Sequence, residues 1–237
     1  MGFPTIFDLL DRVAFLRGTP SVVVVLVAAF AVVALWDMRL ALPALLAHYL
    51  VAGLLFVDIL DPRLAFVYVL TGLFVTAMSS VTAWQVNWGR PPRGLSDEEM
   101  ARLGIPRGRK LGPVTITECR LLRLGLAALV LVAALWAGRS SALPATNALG
   151  VVPQELAYIA PAIIGLVGLG LVGLATTTEP LPGGMGLLLL LTGFSLFYGF
   201  LDQSLVMTIA LVVAQLTVAL VAGYLAQARY LPADVLD

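Results

Sequence analysis

The sequence is poor in the residues from which most enzyme sites are built. It has one cysteine, Cys119, and one histidine, His48, in 237 residues. A lone cysteine excludes an internal disulfide framework and any multi-cysteine metal site. Charge is scarce as well: Asp, Glu, Lys and Arg make up 12% of the chain, where soluble domains carry about a quarter. Fourteen basic and fourteen acidic residues leave no net charge, so the balance gives nucleic acid no purchase as a partner. The signatures His-Glu-x-x-His, Gly-x-Ser-x-Gly and Gly-Lys-Ser/Thr are absent. No two carboxylates share a face of an apolar segment, so paired acid–base chemistry has no seat there. The expectation is a chain without catalytic, cofactor-binding or metal-binding residues.

What the chain does have is apolar residues, 60% of the total, with a mean hydropathy of +1.00. A soluble fold of this length could not hide so much Leu, Val and Ala, whereas a bilayer accepts them as solvent. Seven apolar segments stand out, at 20–36, 40–59, 64–86, 121–137, 156–176, 185–201 and 205–227. The fold class expected is all-α, a polytopic transmembrane bundle of about seven spans. Three helices fall in residues 19–86 and four in 119–230, with a tail at 231–237. Residues 1–18 place Ile6, Leu9, Leu10, Val13 and Leu16 near helical spacing, and they lack the basic start of a secretory signal. That pattern fits a short amphipathic helix at the membrane surface.

Nine charged residues are gathered between Arg90 and Lys110, inside a loop at 87–118. Counting Arg and Lys by alternate crossing puts ten on the side of this loop and four on the other. The positive-inside rule then makes the loop cytoplasmic in a multi-pass protein of the cell membrane. Within it, Ser96-Asp97-Glu98-Glu99 reads as a capping box, and Gly104 and Pro106 as a stop, predicting a helix over 97–103. A helix that short is unstable alone and must dock on something. Arg90, Arg93, Glu99, Arg102, Arg107, Arg109 and Lys110 are therefore candidates for contact with a partner protein or with lipid headgroups.

Polar groups within the spans are costly and hence candidates for function. Three qualify: His48 near the middle of the second segment, Asp58 near its end and Gln215 in the seventh. His48 could relay a proton, since imidazole titrates near neutrality, or could simply hydrogen-bond a neighbouring helix. Asp58 is expected at the interface, paired with Arg63. Gln215 is expected to hold helices together, a contribution of about 1 kcal/mol. Thr71, Thr76, Ser79, Ser80 and Thr82 should bond back to their own helix and mark a face packed against protein. Gly165, Gly168, Gly170 and Gly173 lie on more than one face of the fifth segment, allowing close neighbours on both sides.

The stretch TTTEPLPGGMGLLLLLTGFSLFYGFLDQSLVMTIALVVAQLTVALVAGYL, within residues 156–230, resembles the small three-helix subunit of complex I. It is also similar to the longer relatives of that subunit in membrane-bound hydrogenases and multisubunit cation/proton antiporters. The resemblance rests on helix layout and short loops. It implies an ion-translocating assembly in which the chain packs beside larger membrane subunits. One departure matters: the family carries glutamates in mid-membrane, whereas this chain has Ser195 and Gln215, with Asp202 in a turn. A scaffolding role is therefore expected, as a non-catalytic integral subunit of an ion-translocating or respiratory complex. The alternative is a small-solute or ion transporter or channel built around His48 and the third segment.

Overall fold

The computed structural model describes residues 14–35, 37–86, 109–111, 114–116, 118–139 and 152–230. Among them are seven α-helices: α1 (Thr19–Ala34), α2 (Met38–Ile59), α3 (Pro62–Gln85), α4 (Glu118–Arg139), α5 (Ala160–Ala175), α6 (Pro180–Gly199) and α7 (Leu205–Tyr230). Short 3₁₀ turns, Ala14–Leu16 and Gln154–Ile159, lead into α1 and α5. Six helical stretches are long and apolar enough to cross a membrane, and α1 is a shorter apolar helix of 16 residues. These apolar helices fit a multi-pass membrane protein. A two-stranded antiparallel hairpin, β1 (Arg109–Leu111) with β2 (Val114–Ile116), precedes α4 and was not foreseen. Residues 1–13 of the expected amphipathic segment and the expected helix over 97–103 lie outside the described residues.

Proline and its neighbours set where the helices begin. At α3, the Asp61 carboxylate accepts a hydrogen bond from the Arg63 N–H (2.8 Å), with Pro62 in the first helical turn. Proline is favoured there because its missing donor would be unpaired anyway. The same logic corrects α6. Pro180 and Pro182 lie in its first turn, so the helix starts five residues before the expected 185 and reaches 20 residues. Gly18, with φ +81°, turns the backbone into α1 through a conformation that other residues seldom adopt.

The helices form two layers. One row is α1–α2–α3 and the other is α4–α5–α6–α7, with α1 resting on α4 and α5, α2 on α6, and α3 on α7. Successive helices alternate in direction: Arg17, Asp58, Tyr158 and Gly199 gather at one end, and Gln85, Glu179 and Gln227 at the other. As expected, α6 and α7 are adjacent across the tight Asp202-Gln203-Ser204 turn, in which Asp202 accepts from the Ser204 N–H (2.9 Å).

The most intimate contact is between α5 and α6, where backbones meet without intervening side chains. A Cβ placed on Gly170 would lie 2.7 Å from the Gly186 carbonyl oxygen and 2.7 Å from the Leu190 nitrogen. One on Gly193 would lie 3.1 Å from the Val167 nitrogen. Gly165 and Gly168 face the other way, toward Leu26 of α1 and Ala134 and Val130 of α4. The glycines of α5 therefore do serve neighbours on two sides. In a bilayer, where lipid is as apolar as the helices, such close packing is a principal source of helix association.

Outward, the bundle shows lipid-compatible surface. Leu121, Leu129, Val132 and Trp136 of α4 and Val206, Leu220 and Tyr224 of α7 are all exposed. Trp84, near the end of α3, is exposed as befits an aromatic residue at a membrane boundary. A valine at Gly186 or Gly170 should destabilise the fold by about 3 kcal/mol, at the upper end of overpacking penalties because the obstacle is backbone. Alanine at Gly125, whose Cβ would meet nothing within 4 Å, should be neutral or stabilising. Denaturation midpoints of the purified variants in one detergent would separate the two outcomes.

Candidate functional site

Four helices bring polar side chains together in the interior. They are His48 and Tyr49 on α2, Tyr68 on α3, Thr192 and Ser195 on α6, and Gln215 on α7. Glycine makes room for one of the rings: Gly72 of α3 lies flat against Tyr49, and a Cβ there would collide with it. One turn along, Phe56 of α2 stacks on Tyr68 with ring centroids 3.9 Å apart and planes 2° from parallel. The two tyrosines are thereby aimed at α6, Tyr49 toward Thr192 and Tyr68 toward Ser195.

The hydroxyls of α6 are anchored before they meet these partners. Thr192 Oγ1 donates to the Leu188 carbonyl (2.9 Å) and Ser195 Oγ to the Leu191 carbonyl (2.7 Å), so both oxygens are left to accept. Gln215 Nε2 donates to Ser195 Oγ at 3.4 Å, a long bond that ties α7 to α6. The expectation of Gln215 as an interhelical link thus acquires a named partner. His48 sits edge-on to Tyr49 (5.3 Å between centroids) and faces the Val25 backbone of α1 at poor geometry for a hydrogen bond. His48 Nδ1 and Nε2, the Tyr49 hydroxyl and Gln215 Oε1 have no protein partner in good geometry.

All six side chains are sealed: none exceeds 2% exposure, and His48, Thr192 and Gln215 have none. Accessible area near zero means that no void large enough for water touches them. The cluster is also neutral in composition, with no carboxylate, ammonium or guanidinium among its members. It can hold helices in register. It has neither the charge nor the access to bind an ion or a hydrophilic solute in this conformation. Among the described residues no three His, Cys, Asp or Glu side chains come together to hold a metal ion.

Asp58 lies elsewhere, and with a different partner from the one expected. Arg17 donates to Asp58 Oδ1 through Nη2 (2.5 Å) and Nε (3.2 Å), and the Tyr158 hydroxyl donates to Oδ2 (2.6 Å). Arg63 is exposed and takes no part, its backbone N–H being held by Asp61. The reason is direction. The chain reverses into α3 at Pro62, so residues five apart in sequence point away from each other, whereas the starts of α1 and α5 converge on the end of α2. The hydroxyl-rich face of α3 follows the expectation in part: Thr71, Thr76, Ser79 and Thr82 are buried, and Thr71 Oγ1 donates to the Val67 carbonyl (2.7 Å) and Ser80 Oγ to the Ala77 carbonyl (2.7 Å), but the Thr76 hydroxyl does not bond back to its helix. Thr82 lies against Gly223 of α7.

Of the proposed docking residues, Arg90, Arg93, Glu99, Arg102 and Arg107 lie outside the described residues. Arg109 and Lys110 form β1, opposite Ile116 and Thr115. Arg123, counted on sequence grounds with the charged loop, is instead buried in the second turn of α4. Tyr49, Tyr68, Thr192, Arg17 and Tyr158 were missed as site residues. A tyrosine well inside an apolar run was the available signal, because a buried hydroxyl needs a partner.

No protein-family model, curated protein or solved structure matches this chain.

The Asp58 assignment is directly testable. Arg17→Ala should destabilise by about 2 kcal/mol, below the range for a fully buried pair because the arginine is 44% exposed. Tyr158→Phe should cost about 1.5 kcal/mol, as expected for a hydrogen bond to a charged group. Arg63→Ala should stay within about 0.5 kcal/mol of the parent. Equal effects of the Arg17 and Arg63 substitutions on thermal inactivation would rule the pairing out.

Proposed function

We propose that the chain is a non-catalytic, seven-crossing subunit of a larger membrane assembly, contributing packing surface and docking sites. The observation that carries this reading is the sealed, neutral interior. An ion or solute pathway needs polar groups lining space, and here the polar groups line none. Support also comes from the edges. Only 17% of the apolar stretch of α4 and 28% of that of α7 is buried within the chain, against 56% for α5 and for α6. Two apolar helices with so little internal cover are natural surfaces for larger neighbours. The alternation of seven helix directions supports α1 as a seventh crossing, and the excess of Arg and Lys supports a cytoplasmic charged loop.

That the assembly is ion-translocating or respiratory rests on the resemblance of residues 156–230 to the small complex I subunit and its antiporter relatives. In that setting the docking loop would present Arg90, Arg93, Glu99, Arg102, Arg107, Arg109 and Lys110 to partner subunits or to anionic headgroups. The unpaired nitrogens of His48 and the unpaired Tyr49 hydroxyl favour a second reading. In it α2 and α3 part in another conformation and the chain carries a solute or proton itself.

One preparation tests both. Extraction in mild detergent should yield the chain in a stoichiometric complex with large membrane subunits, and the isolated chain in liposomes should move neither protons nor small cations above the empty-vesicle rate. A His48→Ala variant should assemble and support the activity of the complex at more than half the parent level. A monodisperse lone chain that mediates flux, with flux lost in His48→Ala, would replace the subunit reading with transport.

A further inference from the structure

Near the end of the bundle where α7 finishes, α6 and α7 meet closely at Gly184 and Ala222, and these small residues leave an apolar groove of about 260 Å³ over the contact. Gly183, Gly184 and Leu187 of α6 form one wall, and Thr217, Val221 and Leu225 of α7 the other. The one hydroxyl among these six is occupied, since Thr217 Oγ1 donates to the Val213 carbonyl of its own helix (2.7 Å). From Thr217 to Leu225 the groove follows α7 for about 12 Å at 1.5 Å per residue. An open, wholly apolar groove of that length suits a flexible hydrocarbon chain.

A charged pair stands at its mouth. Arg229 is one turn beyond Leu225, and Glu179 immediately precedes Pro180, which also lines the groove. Arg229 Nη1 donates to the Thr178 carbonyl (3.1 Å), while Nη2 stands 3.7 Å from Glu179 Oε1, beyond hydrogen-bond length. Their side chains are 39% and 15% exposed. A guanidinium binds phosphate well, and a carboxylate beside it would repel an anionic ligand but accept an ammonium. Both charges together match a headgroup that carries both.

We propose that this groove is a binding site for one zwitterionic phospholipid, with an acyl chain between α6 and α7, its phosphate on Arg229 and its ammonium on Glu179. The site is independent of whether the chain is a subunit or a transporter. It fixes where the headgroup plane of that leaflet meets the protein, at the level of Thr178 and Arg229.

The test is native mass spectrometry of the full chain, delipidated in detergent and then offered phosphatidylethanolamine or phosphatidylglycerol. The parent should retain one phosphatidylethanolamine per chain and bind phosphatidylglycerol at least fivefold more weakly. Gly183→Leu should lower phosphatidylethanolamine retention about tenfold. The substitution has room at its base, because a Cβ on Gly183 would meet only Thr177 Cγ2 at 3.6 Å. Thr217→Phe fills the same groove from α7 and serves if the first variant does not fold. Glu179→Gln should narrow or reverse the preference between the two lipids. Retention unchanged in both filled variants, a parent preference for phosphatidylglycerol, or a protein helix cross-linking at Leu225 in place of lipid would each overturn the assignment.

Discussion

Two backbones in contact, those of α5 and α6, are the constraint on which the rest of the bundle depends. Where Gly170 and Gly173 meet Gly186, no side chain separates the helices, so their distance and rotation are fixed by hard contact. Water offers no alternative here. In a bilayer the backbone must satisfy itself within each helix, and association is left to packing and a few interhelical hydrogen bonds. With α5 and α6 locked, Gly165 and Gly168 hold α4 and α1 against the opposite side of α5. The α6 residues Thr192 and Ser195 face α2, α3 and α7. The two layers thus grow outward from one glycine seam, and burial declines toward α4 and α7 at the edges.

The chemistry of the buried groups follows from the same solvent. An isolated charge in the interior costs several kcal/mol, but a neutral hydroxyl or amide needs only a partner. Two ion pairs among the described residues lie at opposite ends of the bundle, Arg17 with Asp58 and Arg229 with Glu179. Within the interior cluster the polar groups are hydroxyl, phenol, amide and imidazole, while the buried Arg123 guanidinium lies apart near the start of α4. Several hydroxyls are bonded to the preceding turn of their own helix, which lowers their cost whether or not a second partner is present. Neutrality and closure make the cluster a register device for four helices.

Much of this was legible in sequence, in a way that physics explains. Helix positions were readable because apolar runs of a fixed minimum length are what a bilayer demands, and the two-faced glycines of α5 followed from helical spacing alone. Thr71 and Ser80 of α3 were readable because their hydrogen bond is local, whereas the Thr76 hydroxyl, also buried, makes no such bond. Partners distant in sequence were not readable. Asp58 finds Arg17, 41 residues away, and Tyr158, 100 residues away, while the nearby Arg63 is carried off by the turn at Pro62. Tyr49 and Tyr68 escaped notice because tyrosine counts as apolar in a hydropathy sum, although its hydroxyl has to be accommodated once buried. The start of α6 was not readable from the apolar run alone, because Pro180 and Pro182 would be disfavoured in a helix interior yet are tolerated in the first turn, where they stand.

The polar contacts at one rim of the bundle and the glycine seam at its centre are linked through α1. Arg17, just before α1, donates to Asp58 at the end of α2, and Tyr158 on the approach to α5 donates to the same carboxylate. Three helix ends are thereby held together by one charged group with two kinds of donor. Further along, Leu26 of α1 lies against Gly165 and Val33 beside Gly173, on the helix that carries the seam. Loosening the rim would therefore free the helix that packs on the back of α5, which couples the ion pair to the packing at the centre.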